Sequence, residues 1–444
     1  MRLVNTYKLM VVLAFFTLKG EQVWAQPWSL QQCIDTAQIH NKSLQIGKNN
    51  VSIGTQKSKE ASANLLPKLS VNADYKYFVS LPFQLLPLSA LNPTAPEGVF
   101  REAQFGVPHN INANVQLNVP IYNPQLVGAV KTTQEALQMT ELQFQRTEEQ
   151  VVYEIANLYY NAQLVHQQMV FLDSNMMNTA RLFKNMQLLH NQLLVKGTDV
   201  MKVELQAQQL ATQRANVQNK HAQLMNALKI AVGLPLEANL EIESAVQMPS
   251  KSPYSSLSTL EFKMAQVQHR ILRSELSTLN RSKYVPSVHF MAMYGTTGFG
   301  YDGQPTSFLN FYPIGFTGLQ IAYPLFNGTV TQRKMNQKSL ELKNTELQMD
   351  LINERTAVQV ENATFQKAVA QQTAENATAQ IKLAQLLYEQ TVAQQQQGVA
   401  NLTDVLLADH ALREAQQSFL AATIEYLKAD LELKKATGNL TNKY

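Results

Sequence analysis

The chain repeats itself over a distance that decides its architecture. Thr140-Glu141-Leu142-Gln143 returns about 205 residues later as Thr345-Glu346-Leu347-Gln348, Asp199-Val200 as Asp404-Val405, and Gly233 as Gly438. Val119-Pro120-Ile121-Tyr122-Asn123 likewise rhymes with Tyr323-Pro324-Leu325-Phe326-Asn327. A period of roughly 200 residues is far longer than any solenoid unit. Each copy carries two alternating segments followed by long helical text, so a whole multi-element half has been duplicated.

The first residues read as an export signal. Arg2 and Lys8 precede the short apolar run Leu9 to Leu18, and Val23-Trp24-Ala25 offers a cleavage site, which sets 1–25 apart as a signal peptide. No later stretch approaches the roughly 18 apolar residues of a membrane helix. The mature chain is therefore a soluble protein or a membrane β-barrel. Its one cysteine, Cys33, has no partner for an internal disulfide and reads as a buried residue of an amphipathic helix. Charged residues make up 16% of the chain and the formal net charge is +4, a balance that gives no polyanion-binding surface and excludes nucleic acid.

The first repeat spans 26–233. A helix from Trp28 to about Asn64, opened by Ser29, is ended by Pro67. A strand over 69–80 follows, with Leu69, Val71, Ala73 and Tyr75 on one parity and Ser70, Asn72, Asp74 and Lys76 on the other. After a Pro-rich connection, 81–108, a strand over 110–122 puts Ile111, Val115 and Leu117 opposite Asn112, Asn114, Gln116 and Asn118. Alternation over about ten residues per strand is the pattern of a transmembrane barrel. Asp74, Lys76, Asn112, Asn114, Gln116 and Asn118 are then the lumen candidates; a β-sandwich core is the plainer alternative.

A join with three prolines occupies 234–255, and the second repeat spans 256–440, leaving a tail at 441–444. Its strands are expected over 286–297 and 313–326, with a Gly/aromatic loop between them and Gly318 as a bulge. Phe299, Tyr301, Phe308, Phe311, Tyr312 and Phe316 would suit an interfacial girdle. Two breaker-poor runs, Pro124 to His190 and about Gly328 to Gln397, predict helices on the order of 100 Å long, about three times a bilayer core. Their partner helices keep a seven-residue beat: Val203, Leu210, Val217, Leu224, Ala231 in one half, and Val405, Leu412, Phe419, Tyr426, Leu433 beside Ala408, Ala415, Ala422, Ala429, Ala436 in the other. The fold class is α+β, mostly α, with long antiparallel coiled-coil helices and four barrel strands per chain.

Four strands do not close a barrel. Bacterial barrels have at least eight, and an open edge in hydrocarbon leaves each N–H and C=O unpaired at several kcal/mol apiece. If these strands span a membrane, identical copies must share one barrel of eight, twelve or sixteen strands. No enzyme is expected: the eight histidines show no metal-ligand spacing, no G-x-S-x-G elbow occurs, and no cofactor or metal is implied.

Trp28 to Asn41 (WSLQQCIDTAQIHN) is similar to the first helix of the TolC-type outer membrane factors, the outer-membrane efflux proteins. Gly398 to Leu406 (GVANLTDVL) resembles that family's second periplasmic turn, Gly197 to Val200 a shorter version of the first, and Leu228 to Pro235 and Leu433 to Leu440 its half-ending pattern. The resemblance covers essentially all of the mature chain. It implies a homotrimer with a twelve-stranded barrel in outer-membrane lipid and a helical tunnel in the periplasm. It also implies docking to a periplasmic adaptor, or membrane fusion protein, and through it to an inner-membrane RND or ABC pump, in tripartite efflux or type I secretion.

By the same resemblance, Asp404, Asp199, Thr403 and Leu407 are candidates for the periplasmic aperture. Gly398, Val399, Ala400, Asn401, Gly197 and Thr198 are candidates for adaptor docking. Two positions depart from the best-known member: Ala400 stands where it has an arginine, and Leu407 where it has a second acid. Thr198-Asp199 and Thr403-Asp404 also suit plain helix starts, and Gly197 and Gly398 suit C-caps. The competing reading of the chain is a structural or adhesive periplasmic coiled coil with a small β head.

Overall fold

A computed structural model describes residues 27–90, 94, 96–246, 254, 258–303 and 306–440. The signal segment 1–25, part of the join 234–255 and the tail 441–444 lie outside the described residues. In chain order the elements are α1 (Leu30–His40), α2 (Lys42–Ala63), β1 (Lys68–Tyr77), β2 (Phe83–Pro87), β3 (Phe100–Gln104) and β4 (His109–Tyr122). Then come α3 (Pro124–Asn191), α4 (Gly197–Val232), α5 (Leu260–Tyr284), β5 (Ser287–Tyr301), β6 (Phe308–Ala322), α6 (Val330–Gln396) and α7 (Leu402–Ala436). They fall into two compact units, one of Met1–Asn49, Leu142–Lys263 and Leu351–Tyr444, the other of Asn50–Glu141 and Met264–Asp350.

In the first unit, Ser29 opens α1 with a capping box. Its hydroxyl accepts from the Gln32 N–H at 3.2 Å, and its own N–H donates to Gln32 Oε1 at 2.9 Å. The single helix expected over 28–64 is instead broken at Asn41, whose backbone is extended. The Asn41 amide donates to the Ala231 carbonyl at 2.7 Å, and its Oδ1 accepts from the Leu44 N–H at 3.1 Å. One buried side chain thus caps α2 and ties the break to the last turn of α4, a tertiary bond that helical periodicity does not reveal.

Gly233 ends α4 at φ +88°, and a Cβ there would stand 2.5 Å from the His40 carbonyl carbon and oxygen. Gly233→Ala therefore meets both a left-handed backbone, worth about 1–2 kcal/mol, and a backbone clash. Its unfolding midpoint in urea is expected to fall well below that of Gly318→Ala, where a Cβ meets nothing within 4 Å.

The core of this unit gathers Cys33, Ile34 and Ala37 of α1 with Ile155, Tyr159, Leu228 and Leu431. Cys33 is fully buried, and burial pushes its thiol up to about 12. The seven-residue beat is the packing seam: Val203, Leu210, Val217 and Ala231 are buried, as are Val405, Leu412, Tyr426 and Leu433. Val165 and Leu172 pack with Leu210 and Val217, and Ala374 and Ala377 with Ala422 and Tyr426.

The second unit carries a four-stranded antiparallel sheet in the order β1-β4-β5-β6. β5 and β6 run through most of the stretch expected as a loop, leaving only 302–307 between them. Glycine permits this because it sits where aromatics cross. A Cβ on Gly298 would lie 2.6 Å from the Phe311 ring, and one on Gly315 2.8 Å from Tyr294. Gly318 is no bulge, since the β5–β6 register is unbroken through Met291↔Gly318. The slip falls between Pro120 and Tyr122, where β4 includes a residue without an N–H to give. The Pro-rich connection holds a short hairpin, β2 paired with β3. Among the described residues no helix is long and apolar enough to cross a membrane.

Candidate functional site: a two-faced sheet and two helix turns

Register sorts the strand residues into two faces. Ser70, Asn72 and Asp74 stand opposite Gln116, Asn114 and Asn112, Lys68 opposite Asn118 and Lys76 opposite Asn110, so all six lumen candidates share one face. There the Asn112 amide donates to Asp74 Oδ2 at 3.2 Å, Asn72 to Asn114 Oδ1 at 3.4 Å, and Lys76 Nζ lies 3.4 Å from Asp74. The other face carries Leu69, Val71 and Tyr75 beside Leu117, Val115 and Ile111, and continues through Tyr294 on β5 and Leu319 on β6. In the single chain Val71 and Tyr294 are 74% and 71% exposed. A contiguous apolar surface of this kind needs a covering.

At one end of this apolar face, the Tyr75 hydroxyl lies 2.7 Å from His109 Nδ1, and His109 Nε2 lies 2.6 Å from Asp302 Oδ2. The Tyr77 ring packs 5.0 Å from that imidazole. The cluster ties β1 and β4 to the β5–β6 connection; strand parity shows the tyrosines and His109 but not Asp302, which lies beyond the strand.

The two turns belong to the first unit. Between α6 and α7, Gly398 is left-handed at φ +74°, the C-cap expected of it. Asn401, rather than Thr403, is the N-cap of α7: its Oδ1 accepts from the Asp404 N–H at 3.0 Å, and Asp404 Oδ2 accepts from the Asn401 N–H at 2.9 Å. Asp404 is thus held by the turn, while Val399 and Leu407 are 76% and 65% exposed. Val399, Ala400, Asp404 and Leu407 converge on a shallow groove of about 370 Å³.

Between α3 and α4 the arrangement departs from expectation. Gly197 is the first residue of α4, not a C-cap, and the left-handed position is taken by Leu193 at φ +60°. His190 Nδ1 lies 3.0 Å from the Val195 carbonyl, which closes the turn without a glycine. Lys196 caps α4 with no side-chain bond, so Thr198 is not the cap, and Asp199 pairs with Lys202 at 3.1 Å.

Sequence reading missed Asp409. It is 3% exposed, one of Arg413's terminal guanidinium nitrogens lies 2.8 Å away, and the Gln206 amide of α4 donates to it at 2.5 Å. Burial holds its carboxyl above the usual carboxylate range, opposed chiefly by the Arg413 charge. Seven residues on, Gln416 accepts from the Asn175 amide of α3 at 2.7 Å, and Asp430 pairs with Lys367 of α6 at 2.6 Å and accepts from the Tyr254 hydroxyl at 2.7 Å. Asp409, Gln416, Thr423 and Asp430 are all buried at seven-residue spacing. That polar stripe beside the apolar ones was the signal available in the sequence.

Residues 258–439 match the family model described as outer membrane efflux protein. The outer membrane protein TolC of Salmonella enteritidis is 21% identical over 444 residues, covering 98% of this chain and 86% of the relative; TolC of Escherichia coli K12 is 21% identical over 450 residues, covering 98% and 87%. Among solved structures, the outer membrane protein VceC of Vibrio cholerae superimposes with a TM-score of 0.72 at 15% identity, over 92% of this chain and 96% of that one. The open-state MtrE outer membrane channel of Neisseria gonorrhoeae gives 0.68 at 15% identity, over 93% and 89%.

Proposed function

We propose that this chain is a member of the outer membrane efflux protein family, an outer-membrane channel that conducts solutes outward without chemistry of its own. The observation that carries this reading is the four-stranded sheet, apolar over most of one face, with β1 and β6 as its edges. An uncovered apolar face suits lipid, but two open edges in lipid do not. Pairing β6 of one copy with β1 of the next removes both. Three copies give the twelve strands of a TolC-type barrel, with the Asn/Asp face inward to water.

The turns at the other functional region are the aperture and the docking tip. Exposed Val399 and Leu407, with Ala400 in place of an arginine, make an apolar surface for a periplasmic adaptor. That adaptor in turn would connect to an RND or ABC pump, which supplies the energy. Asp404 adds one carboxylate per copy near the axis. Asp404→Ala is expected to change the block of single-channel current by divalent cations in planar bilayers; unchanged block reduces Asp404 to a cap.

The test of the whole reading is extraction with the outer membrane in detergent, a trimer band on unheated gels that heating removes, and ion conductance in a planar bilayer. A water-soluble monomer would sink it.

A further inference from the structure

Register carries the Asn/Asp face of the sheet onto two strands that are apolar through their middle, with polar residues such as His289, Gln320 and Asn310 towards the ends. Asn114 leads across to Gly295 and Ile314, Gln116 to Met293 and Phe316, and Asn112 to Thr297 and Tyr312. The same face is therefore amide-rich over β1 and β4 and methionine- and aromatic-rich over β5 and β6. The opposite face of β5 and β6, with Tyr294 and Leu319, is apolar as well. Lipid accounts for one apolar face of this hairpin; the second faces the lumen in the channel reading, on which this inference rests.

We propose that the β5–β6 half of that face is a binding track for amphiphilic organic molecules in transit, bordered by the amides of β1 and β4. Neighbouring strands lie about 4.8 Å apart, so one small molecule can lay its apolar body on Met293, Ile314 and Phe316 while its head group reaches Asn114 or Gln116. Methionine is flexible and polarizable and adapts to varied apolar shapes. The amides both donate and accept, and Asp74 is offset by Lys76, so head groups of either charge are accommodated. The border itself is kept open. A Cβ on Gly295 would lie 2.3 Å from the Ala113 carbonyl and 2.6 Å from the Asn114 Cα, so no side chain stands on β5 beside Asn114.

The experiment uses the full mature chain in planar bilayers, with potassium chloride carrying the current. Tetraphenylphosphonium and deoxycholate are the amphiphilic probes, and glucose is the hydrophilic control. Both amphiphiles are expected to block the current and glucose not to. The Met293→Gln/Phe316→Gln double variant is expected to raise the half-blocking concentration about tenfold or more, with potassium conductance unchanged. Equal block in wild type and variant overturns the track and leaves the channel standing, whereas absence of potassium current in wild type overturns the channel itself. A second measurement needs no variant: half-blocking concentrations of alkyltrimethylammonium ions are expected to fall steadily as the alkyl chain lengthens. A flat series overturns the track.

Discussion

Val71→Arg is expected to abolish the membrane-inserted trimer. Val71 sits mid-strand on β1, paired with Val115 on the apolar face and 74% exposed in the single chain. An arginine on the lipid side of a barrel costs about 2–4 kcal/mol at the bilayer midplane, and three copies bring roughly 6–12 kcal/mol, comparable to the whole stability of an ordinary domain. The neighbouring substitution Asn72→Arg points to the other face, among Asp74, Lys76 and Asn114, and is expected to leave the trimer in place. Unheated gels of outer-membrane fractions separate the two outcomes. Loss from Asn72→Arg with Val71→Arg tolerated would reverse the assignment of lipid and water to the two faces, and equal loss from both would overturn it.

That contrast was legible in the sequence wherever one strand face is polar. Asn112 to Asn118 alternate against Ile111 to Val119, and the observed register places all six candidates together. Over β5 and β6 the alternation fails, because Met291, Met293 and Phe316 are as apolar as Tyr294 and Leu319. The glycines among them then read as a loop rather than as room for cross-strand aromatics. The helical seams were legible for the same reason as β4: a strict period with one chemistry per face. What sequence periodicity could not show were bonds between distant segments. Asn41 breaks a helix because the Ala231 carbonyl lies beside it, and Leu193 rather than Gly197 turns the chain because His190 and Val195 meet there. These residues are ordinary in their local text and acquire their roles only through what packs against them.

Asp409 is the sharpest case, and its removal the second large effect expected. Asp409→Ala leaves the Arg413 guanidinium, whose Nε already lacks a partner, and the Gln206 amide without their shared acceptor in the helix interior. Breaking one side of a buried pair costs about 3–5 kcal/mol, to be read as a lower urea midpoint with unchanged slope. The ionised form also carries a cost. Because burial raises the Asp409 carboxyl above its ordinary range, the folded chain retains a proton in that window that the unfolded chain has released. Its contribution to stability is therefore greatest below the ordinary carboxylate range and declines as pH rises through the raised value. Asp409→Asn keeps an oxygen for Gln206 and Arg413 but does not titrate. It is expected to lose that decline while folding, which the alanine variant, at one fixed pH, does not test. A buried polar group that costs stability yet recurs in heptad phase along α7, at Asp409, Gln416 and Asp430, with partners on α4, α3 and α6, acts on pairing. Apolar seven-residue stripes allow helices to slip by a heptad, whereas Asp409–Gln206, Gln416–Asn175 and Asp430–Lys367 can all form in one register only. In the Asp409→Leu and Gln206→Leu double variant, which removes the polar bond between α4 and α7, engineered cysteine pairs reporting α4–α7 register are expected to cross-link at heptad-shifted positions as well as at the native ones; native cross-links alone would return the stripe to packing.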